Sequence, residues 1–249
     1  MNKFLTFDGS KGYVIVPNYK GIAYPFDADL YRSITFWMRT TQSGSDSTIC
    51  YWGPNLAHDF KNGTENRLRL LRGHLQLFSR GSARSTATMV ADGNWHHIAF
   101  VYNPARNHFT QVRNFADADV YVDGVLDLGE VVDDGITTIF TTGEQDVLIG
   151  TRPTHSGGFG DFYKGDLDEL AIYRDVISTA TISGSYNGGV RGANLQALPE
   201  GTSLHLWFRM GDDPSDTVPS GVLSSGTLID HSFYGRNGIT FSGTSIGTE

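Results

Sequence analysis

Cysteine is all but absent from this 249-residue chain, where Cys50 stands alone. A single thiol can form no intrachain disulfide and no cysteine zinc cluster. It sits in the apolar stretch 48–52, with no basic neighbour in sequence to lower its pKa, so it reads as a buried structural thiol. Basic charge is also scarce. Nineteen Lys and Arg against 27 Asp and Glu give a formal net charge of −8. Phosphate neutralisation needs a basic face, so nucleic acid is not an expected partner. No run approaches the roughly 18 apolar residues of a membrane span, so no membrane partner is expected either. Residues 1–10, MNKFLTFDGS, lack the apolar core of a signal peptide, and 4–7 already reads as a strand. The expectation is a protein made and folded in a reducing cytosol. Glycine-rich phosphate loops and nucleophile elbows are missing as well.

What the chain has is glycine, 30 of them, with many Thr, Ser and Asn, a composition suited to strands and turns. Residues 4–7 and 13–16 read as two strands around the turn 8–12. Residues 33–39 alternate, with Ile34, Phe36 and Met38 on one face. A short apolar strand at 48–52 precedes a long polar loop, 53–66. Residues 67–71 alternate again with Arg67 and Arg69 outward, and Arg72-Gly73 turns the chain into 74–78. Residues 95–102 are apolar or aromatic on both faces, as in a sheet interior. After a polar stretch, 103–118, a further strand ends in Asp123-Gly124, where a glycine that accepts positive φ suits a two-residue hairpin turn. Ser178 can cap one short helix over 178–186, although Thr181 stands where a capping box has Glu. Asn187-Gly188-Gly189 ends that helix, and 203–210 is one more strand.

Five blocks carry a family likeness: FLTFDGSKGYVIV at 4–16, SITFWMR at 33–39, WHHIAFVY at 95–102, DVYVDG at 119–124 and GDLDELAIY at 165–173. In this order they resemble the laminin-G-like jelly-roll family, related to concanavalin A-type lectins and pentraxins. The resemblance implies an all-β fold, an antiparallel β-sandwich jelly roll of the concanavalin A-like lectin/glucanase type. It covers a domain at 1–189 and leaves 190–249 as a C-terminal extension packing back on the sandwich, because the apolar stretch 204–208 needs a partner. The motifs of that extension resemble laminin-G-like proteins of tailed bacteriophages.

Retaining glucanases on this fold present Glu-x-Asp-x-x-Glu along one strand, and retention needs two carboxyls about 5–5.5 Å apart. Here Asp166 and Asp168 share a face by strand alternation, Leu170 and Ile172 follow on it, and Glu169 points away, so no catalytic pair is expected. His96 and His97 are neighbours on a strand and cannot chelate one metal; the expectation is one hydrogen-bonded inside the sandwich and one near its surface. The resemblance implies at most one structural Ca²⁺ at the sandwich rim, with Asp8, Asp166 and Asp168 as its candidate ligands; the same aspartates also suit turn caps.

Ligand-binding candidates are aromatics on or beside loops: Trp52 next to the loop 53–66, and Phe159, Phe162 and Tyr163 in the loop 151–164, with Arg152, His155 and Asp161 nearby. Such a plate suits a sugar ring, a protein contact or the covering of a sheet edge. Arg67, Arg69, Arg72, Arg80 and Arg84 read as a solvated basic face. The expected protein is a non-enzymatic binding or structural module. Its first expected role is in a bacteriophage virion, as capsid decoration, head fibre or tail-associated adhesin, in contact with capsid or tail proteins or cell-surface glycans and built as a closed homo-oligomer. The alternative is a lectin-like carbohydrate-binding module at the cell surface or outside the cell.

Overall fold

The computed structural model describes residues 2–17, 32–44, 46–52, 66–79, 82–102, 118–133, 146–221 and 224–249. Among the described residues, two large antiparallel sheets face each other. The first has eight strands, in the order Val125–Leu126, Ala118–Val122, Trp95–Tyr102, Arg32–Arg39, Lys164–Tyr173, Lys3–Asp8 and Thr244–Thr248, with Leu204–Phe208 also paired to Lys164–Tyr173. The second has nine: Val131–Asp133, Ser82–Ser85, His74–Ser79, Asn66–Leu71, Ser47–Tyr51, Val147–Ile149, Val14–Val16, Gly238–Thr240 and Gly226–Leu228. This is the expected antiparallel jelly-roll sandwich. The loop 53–65, the stretch 103–117 and Arg80 lie outside the described residues.

Alternation builds the core. Leu5, Phe7, Ile34, Phe36, Met38, Ile98 and Phe100 of the first sheet meet Val14, Ile49, Leu68, Leu70, Leu77 and Ile149 of the second. A smaller cluster lies on the outer face of the first sheet. There Ala99, Val101, Ala171, Tyr173 and Trp207 pack against Ile177, Ile182 and Leu195 around the helix Thr179–Tyr186.

The turns follow their residues. Asp123 and Gly124 both take positive φ (52° and 78°), and Val125 pairs with Val122 across the tight hairpin. Ser178 caps the helix by accepting from the Thr181 amide, and Asn187 closes it in a left-handed conformation. The carboxylate missing from the capping box comes from Glu200, which accepts from both the Ser178 amide (3.2 Å) and its hydroxyl (3.0 Å).

The opening strands are not a hairpin. Lys3–Asp8 pairs in the first sheet with Lys164–Tyr173 and Thr244–Thr248, whereas Val14–Val16 pairs in the second with Val147–Ile149 and Gly238–Thr240. The five residues between them span the sandwich, a distance of about 10 Å, which two-period alternation cannot distinguish from a hairpin loop.

Residues 190–249 enter both sheets. Leu204–Phe208 and Thr244–Thr248 join the first, and Gly226–Leu228 and Gly238–Thr240 the second. Leu206, Phe208, Met210 and Leu228 sit in the main core.

Cys50 is fully buried, and burial pushes its thiol up to about 12. It should leave a thiol-exchange dye unreacted in buffer and titrate as one equivalent in denaturant; rapid labelling of the native protein would contradict this placement.

Candidate functional site

The stretch after residue 151 folds into a small hairpin in which Arg152 pairs with Gly160 and Pro153 with Phe159. Its tip is closed locally: the Thr154 hydroxyl donates to the Gly157 carbonyl at 2.9 Å, and the Thr154 amide to the Gly158 carbonyl at 3.1 Å. Gly157 and Gly158 both take positive φ there, in open space. The hairpin presents Phe159 with 39% of its surface exposed. Against it lies the Tyr13 ring, 4.7 Å away, and Tyr13 in turn stacks on Phe241 at 4.5 Å with 9° between the planes. Phe162 stands 6.5 Å from Tyr13.

Three segments far apart in sequence thus make one aromatic rim. Its closeness depends on glycine: a Cβ on Gly12 would come within 2.4 Å of the Gly243 carbonyl oxygen. The Phe241 amide donates to the Tyr13 carbonyl at 3.0 Å. Neither Tyr13 nor Phe241 stands out in the sequence, since nothing local to them signals Phe159.

An ion network lies beside the rim. Asp161, next to Phe162, accepts from Arg67 Nη1 at 3.1 Å and from Arg152 Nε. Asp46 accepts from Arg67 Nη2 at 2.7 Å and Arg69 Nη1 at 3.0 Å. The Arg67 and Arg69 guanidiniums also lie over the Phe78 ring, at 5.5 and 4.0 Å. These arginines point away from the core as expected but are not a solvated face. Arg67 is only 3% exposed, because each guanidinium on a flat sheet surface finds a carboxylate and an aromatic ring to cover it. His155 is exposed on the same hairpin.

Two of the expected ligand-binding aromatics face inward. Trp52 is 1% exposed and belongs to the main core. Tyr163 is fully buried, edge-on to Phe7, with its hydroxyl 3.2 and 3.3 Å from the carbonyls of Asp166 and Arg39. Neither can stack on a sugar; the strand ends they occupy continue the inward face. Phe159, Phe162, Arg152, Asp161 and His155 remain together on the hairpin and its base.

Asp8, Asp166 and Asp168 do not converge on one cation position. Asp8 caps its own turn, accepting from the amides of Ser10, Lys11 and Gly12 at 2.8–3.0 Å and from the Ser10 hydroxyl at 2.8 Å. Asp166 accepts from Thr6 Oγ1 at 2.7 Å and Arg39 Nε at 2.8 Å. Asp168 is wholly buried on Arg191 Nη1 at 3.1 Å. Each carboxyl group is held by protein donors, so the three do not fit a Ca²⁺ ion, and among the described residues no group of three or more acidic, His or Cys side chains is placed to hold a metal.

Strand alternation also fails after Asp168. Glu169 takes φ of 50° and the register slips between Asp168 and Ala171, a bulge. Leu170 and Ile172 consequently turn into the main core, and Glu169 joins Asp168 on the outer face. There it accepts from Trp207 Nε1 at 2.6 Å and lies 3.4 Å from Arg209 Nε.

His96 bonds Asp123 at 2.9 Å and Asp92 at 3.2 Å near the surface. These partners raise its pKa against the effect of partial burial. His97 is buried outside the sandwich rather than within it, edge-on to Trp37 and beside Tyr186 of the helix, with no hydrogen-bond partner for Nδ1 among the described residues.

The family described as the concanavalin A-like lectin/glucanases superfamily matches residues 8–183, more than two thirds of the chain. No curated protein matches the chain. Among solved structures, one from Bacteroides ovatus described as a carbohydrate-binding protein aligns over 100% of this chain and 60% of its own, at 16% identity and a TM-score of 0.63. The chain therefore spans less than two thirds of that protein. The SAP-like pentraxin of Limulus polyphemus aligns over 74% of this chain and 82% of its own, at 14% identity and a TM-score of 0.45. Domains LG4-5 of the mouse laminin alpha1 chain align over 72% and 43%, at 15% identity and 0.47.

Proposed function

The chain belongs to the concanavalin A-like lectin/glucanases superfamily, and we propose that it is a non-enzymatic carbohydrate-binding module that meets its sugar on the rim of Tyr13, Phe159 and Phe241. The observation that carries this reading is the exposed Phe159 ring, backed by two further rings and flanked by the Arg152–Asp161 pair. The rings supply an apolar plate for a sugar face, and the guanidinium and carboxylate supply donors and acceptors for its hydroxyls. Two buried carboxyls support the absence of catalysis. Asp168 and Glu169 are spent on Arg191, Trp207 and Arg209 beneath the surface and do not reach a bound substrate. A module of this kind acts at a cell surface or outside the cell.

A glycan array followed by calorimetry tests the reading. A neutral glycan should bind in the millimolar-to-micromolar range. Phe159→Ala should weaken it about tenfold, equivalent to roughly 1.4 kcal/mol, with little change in Tm because the ring is partly exposed. A blank array, or full affinity in Phe159→Ala, would remove the rim from consideration.

A second reading is a structural protein of a bacteriophage virion that contacts capsid or tail proteins. It is favoured by Val125, Leu126, Leu128 and Val131, all exposed along the flank where both sheets end in short strands. Light scattering with mass determination decides it: a closed oligomer supports the virion role and a stable monomer counts against it.

A further inference from the structure

We infer that Arg39, Arg191 and the Trp95 indole form a second ligand site, which takes the carboxylate of an acidic sugar and is filled by the chain's own Glu249 in the resting protein. The site lies on the outer face of the first sheet. Glu249 Oε1 accepts from Arg39 Nη1 at 2.9 Å, and Oε2 from Arg191 Nη2 at 2.6 Å and Trp95 Nε1 at 2.9 Å. Two guanidiniums and an indole N–H therefore converge on one carboxylate.

The receptor half is held independently of Glu249. Arg39 gives its Nε to Asp166 (2.8 Å) and Arg191 its Nη1 to the buried Asp168 (3.1 Å). Both guanidiniums lie over the Trp95 ring, at 4.8 and 3.9 Å, and over Phe4, at 5.0 and 5.5 Å. Phe4 and Trp95 brace each other edge-to-face at 5.4 Å. Each arginine thus keeps one nitrogen anchored inward and turns another toward the same outer point, and such preorganisation removes the ordering cost of binding. The occupant is held differently. The side chain of Glu249 is 50% exposed, against 7% for Arg191 and 28% for Arg39. An incoming carboxylate can take its place while the site stays formed.

That the ligand is a sugar acid, rather than another carboxylate, rests on the carbohydrate-binding reading above. The two are separately testable, since the rim is read by neutral glycans and Phe159→Ala, and this site by the indole N–H resonance of Trp95. The probe is D-glucuronate, titrated into the wild type and Glu249→Ala and followed by NMR, with D-glucose and acetate as controls. Glu249→Ala should bind D-glucuronate at least tenfold more tightly than the wild type, and the Trp95 resonance should move in both. D-glucose should leave that resonance in place, and acetate should bind more weakly than D-glucuronate. Adding Arg39→Gln to Glu249→Ala should abolish the shift. Glu249→Gln, which keeps the side-chain shape, should show a smaller gain and serves if the alanine variant folds poorly. No D-glucuronate response in either Glu249 variant overturns the site. Equal affinity for acetate, or tighter binding of a glutamate-rich peptide than of D-glucuronate, overturns the sugar-acid assignment.

Discussion

Between pH 6.5 and 9 the folded protein should lose about 3 kcal/mol of stability, and Asp168→Asn should remove most of that loss. Burial foremost, then the neighbouring Glu169 charge, pushes the Asp168 carboxyl up to about 9, against the opposing pull of Arg191. Its ordinary value is 3.8, so across this range the native state holds a proton that the unfolded chain has released. The stability tied to that proton is full below the unfolded value and is lost as pH rises through the folded one, at about 1.4 kcal/mol per pH unit.

Glu169, pushed by burial to about 7, works in the same direction at the low end of the range. So does His96, whose pKa its aspartate partners raise. His97 is drawn down to about 4 by burial and acts in the opposite sense, but only below about 6.5; the window starts there for that reason. Thermal melts across the range should show Tm falling by about 6–12 °C in the wild type. A Tm that is flat or rising toward pH 9 would mean that Asp168 is ionised in the folded state at neutral pH.

A chain ended after Gly189 should fail to fold cooperatively, although the family match stops at residue 183. The cut removes Leu204, Leu206, Phe208, Met210 and Leu228, all fully buried, together with Trp207 at 4% exposure. At about 1.5–3 kcal/mol per buried side chain, the loss is on the order of 10 kcal/mol, comparable with the roughly 5–15 kcal/mol that holds a whole domain together. The strand Lys164–Tyr173 would also lose one of its two partners along residues 170–173, keeping only Arg32–Arg39, and Lys3–Asp8 would lose Thr244–Thr248. Near-UV circular dichroism and a denaturant melt of residues 1–189 are the measurement. A cooperative transition close to that of the full chain would show instead that the first 189 residues are a self-sufficient domain.

The features that local sequence records and those that it hides have a common physical origin. Alternation is local, so Ile34, Phe36 and Met38 could be assigned to one buried face and the Asp123-Gly124 turn could be located before any coordinates. Which sheet a strand joins is not local: residues 14–16 show the same alternation whether they pair with 3–8 or with Val147–Ile149. A single bulge at Glu169 reverses the facing of every later residue in its strand, and nothing in GDLDELAIY marks it. Loop aromatics look alike in sequence, yet Phe159 is exposed while Tyr163, four residues on, is enclosed by the core.

By itself the sequence determined the principal strands, the Asp123-Gly124 turn, the capped helix and the buried thiol, because each depends on residues within a few positions of one another; the sandwich was legible only through the order of the five family-like blocks. The tertiary structure alone decided the rest. It set Tyr13 and Phe241 beside Phe159, wove residues 190–249 into both sheets, buried Asp168 on Arg191 and closed Glu249 onto Arg39 and Trp95. Those contacts join segments from 23 residues apart, as for Asp168 and Arg191, to more than two hundred apart, as for Arg39 and Glu249, and their energies come from burial and convergence, which no local pattern records.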